Sequence, residues 1–386
     1  MTDTHTLIDR QEDLAAACDR LARERYVAID TEFMRESTYW PKLCLIQLAG
    51  AEEAFAIDPL AEGIDLAPLH ALMADESVLK VFHSGRQDIE IFVHDTGRVP
   101  HPVFDTQIAA MVCGFGESVG YEKLIARLVG AAIDKSSRFT DWSRRPLSER
   151  QLSYALSDVI HLRPAYEKLA AMLHENGRES WLEEEMDVLT DPETYRTHPE
   201  EAWLRLKPRS TNGKFLAVLK ELAAWRERAA QDRDQPRNRI LRDETLMDVA
   251  AHTPRTPEDL AKARGIGRSI AEGWQGREII RAVDRGLSMP KSERPSLEKR
   301  DVLPNGLGPT IELLKVLLKL RCEEHEVAQK LVASVADLER IAADDEAVVP
   351  ALHGWRRQVF GEAALDLKHG RIALMLKRGR VHVVRQ

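Results

Sequence analysis

The apolar run Tyr26-Val-Ala-Ile leads straight into Asp30-Thr-Glu32-Phe. A short run of β-forming residues reads as a strand, and residues i and i+2 of a strand point to one face. Asp30 and Glu32 therefore stand side by side at a strand end. Two like charges so placed repel unless a cation or a proton intervenes. Three more residues extend the pattern. Asp88 lies in VFHSGRQDIEIF, and Tyr154 and Asp158 lie in LSYALSDVIHL. Positions 154 and 158 share one helix face. Carboxylates gathered from distant segments are what a pair of hard divalent cations needs. Each fragment alone is weak: Asp-x-Glu recurs at Asp191-Pro-Glu193 and Asp344-Asp-Glu346, and Tyr-x-x-x-Asp recurs at Tyr26 to Asp30. The Asp-x-Glu repeats do not end an apolar strand, and the Tyr26 repeat lies within the strand itself.

The 386 residues suggest two or three domains. No apolar stretch approaches the ~18 residues of a membrane span, so no membrane partner is expected. The start, MTDTHTLIDR, lacks the basic-then-apolar order of a signal peptide. Cys18, Cys44, Cys113 and Cys322 are scattered without a C-x-x-C pair, which argues against a zinc site or a disulfide framework. These features fit the reducing cytoplasm. Net charge is −8, but residues 201–300 hold 22 Lys+Arg and 15 Asp+Glu, so that stretch is +7 and the remainder −15. An acidic first part suits metal binding. A basic middle suits phosphate binding, although a solvated helix face gives the same count.

The first ~200 residues read as α/β. Expected strands are Tyr26–Asp30, Leu43–Ala49, Ala54–Ile57, Leu79–Phe82 and Val103–Phe104, the first three forming an antiparallel meander because their loops are too short for a crossover helix. Helices are expected near Gln87–His94, Thr106–Cys113, Tyr121–Leu128 and Glu149–His174. The result is a mixed sheet flanked by helices over 1–205, with Asp30 at a strand tip near the sheet centre. From about Pro208 the pattern is helical. Lys214–Arg228 is amphipathic, and Asp243–Ala251, Thr256–Arg264 and Ser269–Arg285 continue as helices, giving a unit over 209–290. Ser288–Arg300 reads as a linker. A third unit, 301–386, opens with the helix TIELLKVLLKLRCEEH, and its end, RIALMLKRGRVHVV, reads as a helix followed by a short strand. The second and third units could be diverged copies of one helical module.

With these residues identified, the chain resembles the ribonuclease D family of DEDD-superfamily 3′→5′ exonucleases, tyrosine subclass. Asp30-Thr31-Glu32-Phe33 matches the first family motif, Asp88 the second, and DWSRRPLSERQLSYALSDVIHL, with Tyr154 and Asp158, the third. The histidine subclass carries His five residues before the last Asp, where this chain has Ser153. The resemblance implies a ribonuclease H-like α/β catalytic domain followed by all-α HRDC-type domains. The stretch from AWRERAAQDRDQPRNRIL to the helices near Arg281 is similar to the HRDC domain shared with RecQ-type helicases, and the third unit fits a second, diverged copy. It also implies a cytoplasmic enzyme that holds two divalent cations, Mg²⁺ or Mn²⁺, on Asp30, Glu32, Asp88 and Asp158. Asp30 would bridge both cations and Tyr154 would orient the attacking water. The implied substrates are RNAs with a free 3′ end, tRNA precursors among them, cut to 5′-mononucleotides. Because the five residues read no sugar, an exonuclease acting on DNA ends remains an alternative. A nucleic-acid-binding protein with an inactive nuclease fold is a more distant one.

Other residues leave two readings open. Arg144 and Arg145, with Arg138, frame Asp141-Trp142 and either contact substrate phosphates or pair with acids. Tyr39 and Trp40 either stack on a terminal base or pack against the sheet. Arg237, Arg239 and Arg242, with Arg233, form a phosphate patch or a solvated face. Gly265-Ile266-Gly267 reads as an interhelical turn. Asp105 reads as a helix N-cap, and His83 and His161 as structural.

Overall fold

The computed structural model describes residues 6–134, 136–208, 210–297, 304 and 306–386. The end of the expected linker and the start of the expected third unit, residues 298–303, lie outside them. The chain divides into two compact units. One comprises Met1–Glu32, Cys44–Thr194 and Asp301–Gln386, and the other Phe33–Leu43 and Tyr195–Arg300.

The first unit is built on β1 (Thr6–Ile8), β2 (Tyr26–Met34), β3 (Lys42–Ala49), β4 (Ala54–Ile57), β5 (Leu79–Phe82) and β6 (Val103–Asp105), in the order β1-β4-β3-β2-β5-β6. β3 and β4 pair antiparallel, whereas β1·β4, β2·β5 and β5·β6 are parallel. The sheet is therefore mixed, with β2 near its centre. β2 runs four residues beyond Asp30, so the carboxylates sit on the strand and not at its tip. Its pairing with β5 is registered from Tyr26↔Leu79 to Ala28↔Val81. Asp30 and Glu32 thus lie past that ladder, where one neighbour has ended.

Helices α1 (Gln11–Leu21), α2 (Ala67–Ala74), α3 (Arg86–Thr96), α4 (Thr106–Val112), α5 (Tyr121–Leu128), α6 (Glu149–Glu175) and α7 (Glu179–Thr190) flank the sheet. α6 starts with a capping box in which Ser148 and Gln151 each serve the other's backbone. Its buried stripe, Ala155, Leu156, Val159, Leu162, Ala165, Leu169 and Leu173, has helical spacing and packs on β4 and β5. The buried Asp105 caps α4, accepting from the amides of Gln107 and Ile108 at 2.8 and 3.3 Å. It also accepts from the amides of Ser84 and Gly85 at 3.0 and 2.8 Å. This fixes the turn that starts α3.

The second unit contains α8 (Gly213–Asp232), α9 (Arg237–Ile240), α10 (Asp243–His252), α11 (Pro257–Leu260), α12 (Arg268–Glu272) and α13 (Trp274–Ser288). The expected helix over Thr256–Arg264 shrinks to one turn, and that over Ser269–Arg285 breaks at Gly273. α8 packs on α10 and α13 through Val218, Leu219, Leu222 and Trp225.

The remaining helices, α14 (Gly308–Glu324), α15 (Gln329–Val332), α16 (Val335–Ala343), α17 (Gly354–Arg356) and α18 (Glu362–Lys368), fall within the first unit and not in a separate body. The expected terminal helix is instead an antiparallel hairpin of β7 (Ile372–Lys377) and β8 (Arg380–Arg385). Its two-residue turn explains the difference. Arg378 and Gly379 both have positive φ, 51° and 77°, the geometry that favours a tight hairpin.

In the second unit, the buried carboxylate of Glu227 accepts two bonds from the Arg237 guanidinium, at 2.5 and 2.6 Å, and one from the Tyr39 hydroxyl. Arg237→Ala removes both guanidinium bonds and leaves that carboxylate the Tyr39 hydroxyl and Arg205 at 3.7 Å. The expected cost is about 3 kcal/mol of unfolding free energy, against less than about 0.5 for Arg239→Ala or Arg242→Ala. Denaturant titrations of the three variants check the ranking.

Candidate active site

β2 delivers Asp30 and Glu32 to one face, and α6 delivers Asp158 to the same place. Each offers a carboxylate oxygen, and these oxygens all lie within 4.8 Å of one another. Asp88, in the first turn of α3, is buried outside this triad and accepts a hydrogen bond from the Thr31 hydroxyl. It is still the largest source of repulsion for Asp30: after burial, the Asp88 charge does most to push the Asp30 carboxyl well above the usual range, followed by Asp158 and Glu32. Burial, then Asp158 and Asp88, raise Glu32 to about 8. Burial raises Asp158 to about 7, opposed by a hydrogen bond from Tyr154 and the charge of Arg138. Asp88 is pushed up to about 6, chiefly by burial. An all-oxygen cluster of this kind fits a hard divalent cation, which would relieve both the burial cost and the repulsion.

Tyr154 lies one helical turn before Asp158 and donates to its carboxylate. Burial and the three acids raise the phenol, so it stays protonated at neutral pH and acts as a donor. Its ring lies 6.1 Å from the buried Trp142. The adjoining cavity is lined by Asp30, Tyr154, Asp158, His83, Arg138 and the loop running from Phe115 to Tyr121. Tyr121 donates to the backbone carbonyls of Ser157, at 3.2 Å, and of Asp158, tying α5 to the ligand-bearing turn of α6. The His83 Nδ1 is 2.9 Å from the Thr106 hydroxyl, and burial lowers its pKa. His83 thus has a structural anchor, as expected, but it also faces the cavity.

The remaining expected contacts divide. Arg144 is 84% exposed, with its guanidinium 3.1 Å from Asp141, so it is open to a phosphate. Arg145 is not. Its guanidinium grips the buried Asp58 at 2.5 and 2.6 Å and donates to the carbonyls of Cys44, Trp142 and Arg144. Tyr39 is buried in the second unit, with its hydroxyl on Glu227, so it does not stack on a base. Trp40 packs against that same helical core. Arg237 is committed to Glu227, while Arg239 and Arg242 are exposed. Sequence reasoning left Tyr121 and Glu117 unread, whereas for Arg138 the charge it exerts on Asp158 agrees with the acid-pairing alternative. Tyr121 makes its bonds to backbone carbonyls, which no sequence motif announces.

The raised carboxyls set a pH dependence. Without a cation the folded chain binds more protons than the unfolded chain between about pH 4 and about pH 8, so its stability falls as pH rises through that window. In chelator, the melting temperature should drop from about pH 5 to about pH 8. Added divalent cation should restore it, and Asp30→Asn should flatten the fall. Thermal melts across this range check it, and a rising profile in chelator contradicts the repulsive cluster.

Comparison with known proteins agrees with this geometry. Residues 5–174 match the 3′–5′ exonuclease domain family and residues 215–283 the HRDC domain. The chain is 54% identical over 375 residues to ribonuclease D of Nitrobacter hamburgensis, covering 97% of this chain and 98% of that one. It is 52% identical over 372 residues to ribonuclease D of Granulibacter bethesdensis, covering 96% and 94%. The crystal structure of Escherichia coli RNase D, described as an exoribonuclease involved in structured RNA processing, superposes with a TM-score of 0.80 at 31% identity over 95% of this chain and 98% of that one. The catalytic core of RRP6 from Trypanosoma brucei, 21% identical with a TM-score of 0.55 over 73% of this chain and 79% of that one, shares the fold. A mixed sheet presenting clustered acids, an exonuclease domain, an HRDC domain and near-full-length identity together place the chain in the ribonuclease D family, as a 3′→5′ exoribonuclease.

Proposed function

We propose that the chain trims RNA 3′ ends by two-metal phosphodiester hydrolysis and releases 5′-mononucleotides. The observation that carries this reading is the triad of Asp30, Glu32 and Asp158 with Tyr154 donating to one of its members. Two bound divalent cations, Mg²⁺ or Mn²⁺, would generate the nucleophile at neutral pH and neutralise charge on the scissile phosphate. Asp30 would hold both ions. Glu32 and Asp158, which share the cluster with it, would hold the ion that carries the attacking water, next to the Tyr154 hydroxyl that bonds Asp158. Asp88, outside the triad, suits a more distant ligand acting through water. The protonated Tyr154 hydroxyl positions a water with its free lone pairs and does not remove a proton. tRNA precursors are the substrates suggested by family membership, in the cytoplasm. Among the described residues no helix is long and apolar enough to cross a membrane.

Asp30→Asn should abolish mononucleotide release while the fold persists, because an amide cannot hold two cations together. Tyr154→Phe should slow turnover by ~10²–10⁴-fold with little change in RNA affinity. Release measured on RNA and DNA oligomers of one sequence tests both variants and the sugar preference. Near-normal turnover by Asp30→Asn would remove the site assignment.

RNA binding by the helical unit rests on fewer cations than its composition suggests. Arg239→Ala with Arg242→Ala should flatten the dependence of log affinity on log salt by about 1.4, two phosphate contacts at ~0.7 each for single strands. Equal slopes for variant and parent would make these arginines a solvated face. Truncation near Pro208 cannot replace this test, because it also removes α14–α18 from the catalytic unit. A second, diverged HRDC-like module over 301–386 is supported by element order: in both segments a long helix is followed by a four-residue helix and then one of nine or ten residues.

A further inference from the structure

One wall of the active-site cavity is the loop that leaves α4 at Cys113 and reaches α5 at Tyr121. Within the loop, Phe115 stacks under the Arg127 guanidinium at 4.3 Å, and the Val119 carbonyl accepts from Gln107 at 3.3 Å. Its other anchors come from the C-terminal segment, some 200 residues away in sequence. The Glu117 carboxylate accepts from the backbone amides of Gln329 and Lys330, at 2.9 and 3.0 Å. It thereby caps α15, whose own N-cap residue, Ala328, has no side chain able to do so. The Ala328 amide donates to the Met111 carbonyl at 3.0 Å.

Arg178 closes the junction. Its guanidinium donates to the Val112 carbonyl at the end of α4, at 2.9 Å, and to the carbonyls of His325 and Glu326 just after α14, at 2.7 and 3.1 Å. A cation between two helix C-termini satisfies carbonyls that neither helix can. At Gly114, with φ of +79°, a Cβ would lie 2.7 Å from the Glu326 carbonyl oxygen, so the loop and the segment meet backbone to backbone. Beyond the loop, Trp181 stacks on Trp355 at 4.3 Å and Arg356 pairs with Glu184 and Glu185.

We propose that the C-terminal segment braces the wall of the substrate pocket from behind, and that Glu117 and Arg178 are positioning residues that set that wall. The loop they hold ends at Tyr121, which is bonded to the turn of α6 that carries Asp158. The chain of contacts therefore runs from α15 through the loop to the catalytic helix. The segment need not touch RNA to affect how the terminal nucleotide seats. The inference rests on the exonuclease reading above.

The test uses the full chain and three variants: Glu117→Gln, which keeps shape but presents an amide to two amide donors, and Arg178→Lys and Arg178→Ala. Three quantities are measured: KM and kcat on a short RNA oligomer, affinity for adenosine 5′-monophosphate by calorimetry, and hydrogen exchange over residues 113–121. Glu117→Gln should raise KM by roughly fivefold to tenfold, weaken nucleotide binding in proportion and speed exchange in the loop. kcat should stay within about twofold, because the acids are untouched. Arg178→Lys should fall between the parent and Arg178→Ala. If the variants melt earlier but keep parental KM and nucleotide affinity, the junction is only structural and the proposal fails. Should Glu117→Gln not fold, the Arg178→Lys measurement decides by the same criterion. Failure of the parent itself to cut RNA or bind the nucleotide would overturn the exonuclease reading instead.

Discussion

Bringing the oxygens of Asp30, Glu32 and Asp158 within 4.8 Å of each other, half-buried, costs free energy at neutral pH. Burial is the first cause of the rise at every one of these acids, with mutual repulsion adding to it at Asp30 and Glu32. Among the described residues, Arg138, exposed, moderates the cluster. The strain is sustained by features that contribute nothing to the chemistry. The apolar stripe of α6 packs on β4 and β5 and holds Asp158 in place. Asp105 gathers four backbone amides and fixes the start of α3, hence Asp88. Tyr121 pins α6 at the ligand-bearing turn.

The parts of this arrangement that could be read from the sequence are those with a local period. β2 is an apolar run that leads into two acids, and α6 carries a capping box and a helical apolar stripe, so four of the five functional side chains, Asp30, Glu32, Tyr154 and Asp158, could be placed before any coordinates. The terminal RIALMLK fits a strand as well as a helix turn by composition. The Arg378-Gly379 turn decides between them, and its signal is only two residues long. The seating of the C-terminal segment on the catalytic unit was not legible at all. Arg178 and Glu117 bind backbone carbonyls and amides, which every residue has, and sequence patterns carry no record of such partners.

The arginines show the same limit more sharply. Arg144 and Arg145 are neighbours with identical chemistry and one apparent prospect, phosphate binding. The structure gives Arg145 a buried carboxylate and three carbonyls, and leaves Arg144 in solvent. Arg237 and Arg239 divide in the same way around Glu227. Counting positive charge therefore overstates what is available to RNA: a guanidinium already holding a buried carboxylate cannot also release counterions from a phosphate.

Hydrogen-bond satisfaction also separates the buried Asp105 from the half-buried Asp30, two acids that look alike in composition. Asp105 and Asp30 each sit at a strand of the same sheet. Asp105 accepts four backbone amides, so its charge is answered by the fold, and its role ends at holding α3 and α4 together. Asp30 is opposed by one backbone amide and faces three other carboxylates. A buried acid answered by the backbone is part of the scaffold. One that faces only its own kind needs a ligand from outside, and the cavity beside Asp30 is where that ligand can enter.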